Sequence, residues 1–516
     1  MSGDEAPPVE LPRRYNAAVD LIARNLTGAR VNKTAFRDDH ASITYGELAA
    51  RVGRAANALL GLGLRPEQRI LLCLLDTIDF PVTFLGAIKA GIVPVPVNTM
   101  MTPEDYDYIL RDSRAQAVIV SDALQPKFAD IRHGQPHLQH VILSGGDGSP
   151  LRALIERAPA QGTAADTTPD DACFWLYSSG STGTPKGVVH LHAHPILTAE
   201  LYAKPVLGIE ESDTVYSVAK LFFAYGLGNS LTFPMAVGAT TILSAERPTP
   251  SSVATILREH EPTIFFGVPT LYAALLASAD LPQRNEVALR RCASAGEALP
   301  EQIGRTWHRR FGVDILDGIG STEMLHIFLS NRVGDVRYGS TGKPVPGYRL
   351  RLVDDDGKLV ARGEIGELQV AGPTAAAQYW NNRERSRHTF MGEWTRSGDK
   401  YREDEDGYYV YCGRTDDMLK VGGIYVSPFE VESALASHDA VLECAVVGAA
   451  DEARLIKPKA FVVVKPGHAP SPALAAALQD HVKSRLAPYK YPRWIEFIDT
   501  MPKTATGKIQ RFKLRT

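Results

Sequence analysis

For several hundred residues, apolar runs of strand length alternate with segments whose apolar side chains recur at helical spacing. That alternation restricts the chain to a layered α/β fold built on parallel sheets. One stretch shows it: helix period over 45–62, a strand-like run at 69–73, helix period over 80–90, a strand-like run at 92–97, then a helix that Thr102 can cap with Pro103 in its first turn. The pattern resumes with a strand-like run at 263–268, a helix carrying Ile303, Trp307 and Phe311 four residues apart, and a strand-like run at 313–316. Parallel neighbours need crossover helices on both faces, so the expected architecture is doubly wound.

At 516 residues the chain is too long for one core, and about two to four lobes are expected. Residues 1 to about 14 read as a loose tail. Beyond about residue 340, helical segments give way to short strands with turns at Asp354-Asp355-Asp356-Gly357 and Glu405-Asp406-Gly407, the pattern of an antiparallel subdomain. After Arg414 the pattern changes again: Ser427-Pro428-Phe429-Glu430 makes a capping box, strand-like runs follow at 440–447 and 460–464, and helix period covers 471–486. The expected division is a large N-terminal domain, 1–415, with doubly wound sheets and a β subdomain, and a small mobile α+β domain, 416–516.

Basic and acidic residues, 56 and 59, are mixed along the chain and leave a net charge of -3, which offers no footprint for nucleic acid or an anionic membrane. The most apolar region, 70–97, is broken by Asp76, Asp79 and Lys89, so neither a signal peptide nor a membrane span is expected. The five cysteines lie far apart without metal or disulfide spacing, which suits a reducing cytoplasm. Small-molecule partners are expected, and a homodimer is compatible with the sequence.

The run at 173–177 leads into Ser178-Ser179-Gly180-Ser181-Thr182-Gly183-Thr184-Pro185-Lys186-Gly187. Glycines free the backbone to approach a ligand, hydroxyls add donors and Lys186 adds charge, which together suit a polyphosphate. A P-loop would need Gly-Lys-Ser/Thr, whereas here Lys186 precedes Gly187. This loop resembles the signature loop of the adenylate-forming superfamily, which includes acyl-CoA synthetases, peptide-synthetase adenylation domains and firefly luciferase. Further segments match the superfamily in order and spacing over nearly the whole chain: Ser294-Ala295-Gly296-Glu297, Gly320-Ser321-Thr322-Glu323, Ser397-Gly398-Asp399, Gly413-Arg414-Thr415-Asp416, and Pro502-Lys503-Thr504-Ala505-Thr506-Gly507-Lys508.

The resemblance implies roles. Ser178, Ser179, Gly180, Ser181, Thr182, Gly183 and Lys186 would hold ATP phosphates. Ser294, Ala295, Gly296 and Glu297 would pack on adenine, with Asp317, Gly318, Gly320 and Ser321 as further nucleotide contacts. Thr322 would hold phosphate, Glu323 would reach Mg2+, Asp399 would clamp the ribose hydroxyls, Arg414 of the hinge element would be a further ATP/AMP contact, and Lys508 would be the adenylation lysine. Asp416 would be the hinge, Gly422 and Gly423 would line the pantetheine path of CoA, and Lys420 is a candidate for the thioester-forming state. The need for these types is physical: attack of a carboxylate on the α-phosphate concentrates negative charge that a magnesium ion and an ammonium group counter, and water must be kept from the mixed anhydride.

Around Lys220-Leu221-Phe222-Phe223-Ala224-Tyr225-Gly226, where the superfamily lines its acyl pocket, there is no Asp for an amino-acid substrate. Bulk after Glu323, namely Met324, Leu325, His326 and Ile327, should close the pocket early. With Ala224, Tyr225, Gly320, Leu325, His326 and Ile327 around a ring, the arrangement is similar to the benzoate-CoA ligase group. The resemblance therefore implies an ATP- and Mg2+-dependent ligase joining a small aromatic acid to coenzyme A through an acyl-adenylate. Hydroxybenzoate or aminobenzoate ligation, and a non-catalytic nucleotide-binding regulator of the same fold, stay open. No carrier segment follows Lys508, so free CoA is the expected acceptor. The alternating His190, His192 and His194 have no accompanying carboxylates or thiols and are expected to be structural rather than metal ligands.

Overall fold

Two threonines open two of the crossover helices. Thr44 accepts from the Glu47 backbone while Glu47 returns a carboxylate to Thr44 N at 2.8 Å, starting the helix Tyr45–Gly61. Thr102 and Asp105 repeat the device for Pro103–Ser113, with Pro103 in the first turn. Between them runs Asp79–Lys89, buried on all sides from 79 to 88, which is why its sequence reads apolar all round. The computed structural model describes residues 9–129, 131–179, 185–415, 417–421, 424–452, 455–487, 489–503 and 509–515.

These helices cover a four-stranded parallel sheet in the order Val93–Pro96, Arg69–Cys73, Ala117–Ser121, His140–Ser144. Val93–Pro96 is an edge strand, the place where Pro94 and Pro96 cost no ladder bond on the open side. A nine-stranded sheet has a parallel centre in the order Ile315–Gly320, Arg291–Ser294, Ile264–Gly267, Thr214–Ser217, Thr240–Ile242 and Thr34–Arg37. Antiparallel strands flank it: Ile327–Ser330 and Lys343–Pro344 on one side, Ser42–Thr44 on the other. Both sheets are covered on both faces. Ile70 and Leu72 face the central core and Leu71 and Cys73 a second one; Ile264 and Phe266 face the central core and Phe265 a third, beside Trp307 and Phe311. The α/β architecture with crossover helices is thus as expected.

The C-terminal strands also follow the reading, with Arg349–Val353, Gly366–Ala371, Trp394–Glu403, Phe390–Met391 and Tyr409–Arg414 in one antiparallel sheet. Gly357 and Gly407 take φ of +80° and +81° at the two expected turns. Ser427 caps Pro428–Ala436, which packs on the sheet Val441–Ala450, Ile456–Val464 and Trp494–Phe497. Two expectations are corrected. The N-terminal tail is not loose as far as residue 14: Arg13 and Arg14 pair with Asp170 and Asp166, and Tyr15 N donates to Thr167 O, so the chain is tied down before its first helix, Ala17–Ala23. The strand expected at 313–316 runs instead from 315 to Gly320, carrying Asp317 and Gly318 on it.

Candidate active site

The glycine-rich loop joins two antiparallel strands, Ala172–Ser179 and Pro185–Leu191, rather than a strand and a helix, in keeping with its departure from the P-loop pattern. Gly180, Ser181, Thr182 and Gly183 and the side chain of Ser179 lie outside the described residues. Lys186 stands opposite Ser178 on the ladder. The hairpin is fastened to the helix Pro103–Ser113, because the Tyr177 hydroxyl donates to Asp112 Oδ2 at 2.5 Å and the Trp380 indole donates to Asp112 O at 2.8 Å. Gly187 packs closely under the Tyr177 ring: a Cβ there would meet it at 3.1 Å, and the ring would have to give by a few tenths of an ångström.

The strand Pro185–Leu191 reaches Thr322-Glu323 at two points four residues apart. Lys186 Nζ lies 3.1 Å from Glu323 Oε1, both side chains being 17% and 16% exposed, and His190 Nε2 is 2.8 Å from Thr322 O. Two further donors hold the next carbonyls: Ala376 N on Glu323 O at 2.7 Å and Thr374 Oγ1 on Met324 O at 2.7 Å. The Tyr379 hydroxyl donates to Glu323 Oε1 at 2.8 Å and accepts from Lys186 at 2.7 Å. Burial works against the ionised Glu323 carboxyl, but the Lys186 charge and these hydrogen bonds outweigh it and hold the group below the usual carboxylate range.

Ser294 ends its strand beside Asp317, and both are buried, with Ser294 Oγ and Asp317 Oδ1 finding no protein partner among the described residues. Burial pushes the Asp317 carboxyl well above its ordinary range, against the pull of a backbone hydrogen bond at Leu299. Orphan polar atoms at the carboxyl end of a parallel strand are where an open α/β sheet receives a ligand. Gly296 turns the chain there with φ +96°. Asp399 faces Arg414 across two antiparallel strands, with Nη1 to Oδ1 at 3.1 Å, and the guanidinium occupies the space beside Gly398.

Beyond Glu323 the backbone makes a γ-turn. Leu325 takes φ +65° and ψ −43°, and His326 N donates to Met324 O at 2.8 Å. This strained, uncommon turn swings His326 inward. Its imidazole is buried among Phe233, Tyr202 and Tyr225, with ring centroids at 4.4, 5.4 and 5.5 Å, and Nε2 lies 3.3 Å from Tyr225 O. Burial lowers its pKa to about 3, so it is neutral. Ala224 and Tyr225, in the short helix Ala224–Leu227, stay half-buried, whereas Leu325 and Ile327 are buried. Gly320 has to be glycine because a Cβ would sit 2.4 Å from His326 O. Lys220 and Leu221 are pinned from outside, by Ser244 O and Glu246 O and by the buried Asp76 carboxylate.

The structure thus gathers Lys186, Thr322, Glu323, Gly320 and His326 in one region. Lys508, Asp416, Gly422 and Gly423 lie outside the described residues; Lys420 sits on the strand Leu419–Val421, its side chain likewise outside them. His190, His192 and His194 are buried and hydrogen-bonded, to Thr322 O, to Ala17 N and between His190 and His194, which suits a structural part. They do not share one strand face, since His194 begins a helix. Tyr379 was invisible to motif reading, and so were Tyr202 and Phe233: a lone aromatic far along the chain carries no spacing signal.

Among the described residues no group of three or more His, Cys, Asp or Glu could cage a metal. The carboxylate of Glu323, beside Lys186, fits a Mg2+ that arrives with ATP, an ion held through one or two carboxylates and the substrate's own oxygens. No helix among the described residues is long and apolar enough to cross a membrane.

Residues 23–380 match the family described as AMP-binding enzyme and 430–508 the AMP-binding enzyme C-terminal domain. A benzoate–CoA ligase of Thauera aromatica is 63% identical over 513 residues, 99% of this chain and 97% of that one. A 4-hydroxybenzoate–CoA/benzoate–CoA ligase of Rhodopseudomonas palustris is 52% identical, covering 98% and 94%. The crystal structure of a benzoate CoA ligase from Burkholderia xenovorans LB400 superposes with a TM-score of 0.92 at 57% identity, covering 97% of this chain and 100% of that one.

Proposed function

The chain belongs to the AMP-binding enzyme family, and from that premise we propose that it joins benzoate to coenzyme A using ATP. A benzoate oxygen attacks the α-phosphorus of ATP and pyrophosphate leaves, giving benzoyl-AMP. The CoA thiol, losing its proton, then attacks the acyl carbon, and AMP leaves with the electrons of the broken C–O bond. The products are benzoyl-CoA, AMP and pyrophosphate.

In this reading the loop 178–183 with Lys186 cradles the phosphates, Thr322 donates to phosphate, Ser294, Asp317 and Gly296 face the base, and Asp399 holds the ribose hydroxyls with Arg414 paired to it as a further nucleotide contact. Glu323 would hold Mg2+, which when bound neutralises charge on the polyphosphate. Residues 1–415 would carry the acid and ATP sites, and a mobile unit from 416 onward would bring Lys508 to the α-phosphate and later Lys420, Gly422 and Gly423 to the thiol. All five cysteines are buried and free, which suits a cytoplasmic enzyme.

The observation that carries the substrate is the aromatic floor: His326 is buried and wedged among Tyr202, Tyr225 and Phe233 beside the half-buried Ala224, bulk that suits a single aromatic ring better than a long alkyl chain. The names of the two relatives, on benzoate and on 4-hydroxybenzoate or benzoate, support the same reading. The test is acid-dependent exchange of labelled pyrophosphate into ATP over a panel of benzoate, its hydroxy, amino and fluoro derivatives, and fatty acids. Benzoate should lead, and absence of exchange with every acid would favour the regulator.

A further inference from the structure

Glu323 rests on a side chain that no motif names. Tyr379 lies on the two-residue strand Gln378–Tyr379, paired with Val188 midway between Lys186 and His190, and is 2% exposed. Its hydroxyl has a fixed polarity: Lys186 can only donate and an ionised carboxylate can only accept, so the hydroxyl must accept from Nζ at 2.7 Å and give its proton to Glu323 Oε1 at 2.8 Å. Lys186 also falls on Oε1, at 3.1 Å. Among the described residues both side-chain donors therefore meet one oxygen of Glu323, which leaves Oε2 as the oxygen to offer a cation.

We propose that Tyr379 is the positioning residue of the magnesium site, holding the Glu323 carboxylate in place when Lys186 is drawn away to the polyphosphate. This rests on the reading of Glu323 as the Mg2+ ligand and Lys186 as a phosphate lysine. ATP phosphates compete with Glu323 for the single Lys186 ammonium. When they win, the carboxylate would be left half-buried with no donor on Oε1, were it not for a neutral hydroxyl that stays bound to it. Remove the hydroxyl and Glu323 must either keep Lys186, at the cost of phosphate binding, or lose its orientation toward the ion. Either way, binding of ATP with Mg2+ weakens through Glu323.

The experiment is calorimetric titration of the full chain with ATP over a series of Mg2+ concentrations, without acid or CoA, for the wild type, Tyr379→Phe, Glu323→Gln and the double variant. A hydrogen bond to a charged group corresponds to about ten- to a hundredfold in an equilibrium constant. Tyr379→Phe should accordingly raise the Mg2+ concentration for half-maximal ATP binding by about tenfold. In the Glu323→Gln background the same change should add less than about twofold, because the residue acts through that carboxylate. Losses that multiply in the double variant would overturn the proposal, since a merely structural effect would persist without Glu323, and so would an unchanged Mg2+ dependence in Tyr379→Phe. A second background removes dependence on one variant's folding: with Lys186→Met no ammonium can be drawn back to Glu323, so Tyr379→Phe should still raise the Mg2+ requirement through the carboxylate's orientation; no effect of Tyr379→Phe in that background counts against the proposal. Because only ATP binding is read, a wrong acid assignment would leave the outcome intact and would show itself in the pyrophosphate exchange instead.

Discussion

Gly228→Ala tests the aromatic floor with the smallest available probe. Gly228 has helical φ and ψ of −61° and −58°, so alanine brings no backbone strain. The added Cβ would lie 2.4 Å from His326 Cδ2, 2.6 Å from its Nε2 and 3.0 Å from Phe233 Cζ. Carbon atoms rest at about 3.5–4.0 Å, so the imidazole must move by roughly 1 Å. Phe233, Tyr202 and Tyr225 pack around the ring and the backbone behind it is held against Gly320, so a displaced imidazole disturbs the wall beside Ala224 and Tyr225, where the acid ring is proposed to lie. Overpacking of this kind costs about 1–3 kcal/mol of stability. A misplacement of ~1 Å at a positioning wall can cost about 10²-fold in rate. Steady-state kinetics should show kcat/KM for benzoate falling by one to two orders of magnitude, alongside a modest drop in melting temperature. If melting falls while kcat/KM for benzoate holds, His326 does not wall the acid site and the reasoning fails.

Other outcomes follow from the same account. Ile327→Gly should admit longer acids, measured as the palmitate-to-benzoate ratio of kcat/KM; a wild-type enzyme that already turns over palmitate as well as benzoate would refute the closed pocket. Lys508→Ala should abolish adenylation, by about a hundredfold or more, yet still convert supplied benzoyl-AMP and CoA to benzoyl-CoA. Asp416→Pro should show the reverse, and equal loss of both half-reactions in both variants would mean one domain arrangement does all the chemistry. Burial lowers the pKa of His190 and of His192 to about 4 and of His326 to about 3. The unfolded chain, titrating near its ordinary value, takes up more protons below about pH 6.5. Stability against urea should therefore be full above that pH and fall on acidification toward pH 4, by about 1.4 kcal/mol per pH unit for each such histidine. A flat profile between pH 6.5 and 4.5 would show that these rings are not buried neutral.

What could be read from the residues was local. Capping at Thr44 and Thr102, the buried helix 79–89 and the runs covered on both faces all follow from spacing and polarity along a few neighbouring positions. Strand partnership was not legible: nothing at 34–37 says that this early strand pairs beside 240–242, because the pairing is a long-range closure. The γ-turn at Leu325 escaped for a related reason, since left-handed backbone at a leucine is imposed by its surroundings, here the Thr374 hydroxyl on Met324 O and the packing of His326. Motif order pointed to Lys186, Thr322 and Glu323. Of their supports, His190 stood out only as one of three alternating histidines and Tyr379 not at all, because each reaches the pair through one contact, 132 and 56 residues away in the chain.

The central claim is chemical, and a single product analysis addresses it. Purified protein should be given benzoate, ATP and Mg2+ first without and then with CoA, and the nucleotides and acyl species quantified by chromatography. The account predicts that benzoyl-AMP and pyrophosphate form when CoA is withheld, and that adding CoA converts the bound adenylate to benzoyl-CoA and AMP in equal amounts. Formation of ADP and phosphate in place of AMP and pyrophosphate, or of benzoyl-CoA with no benzoyl-AMP ever appearing in the absence of CoA, would contradict it.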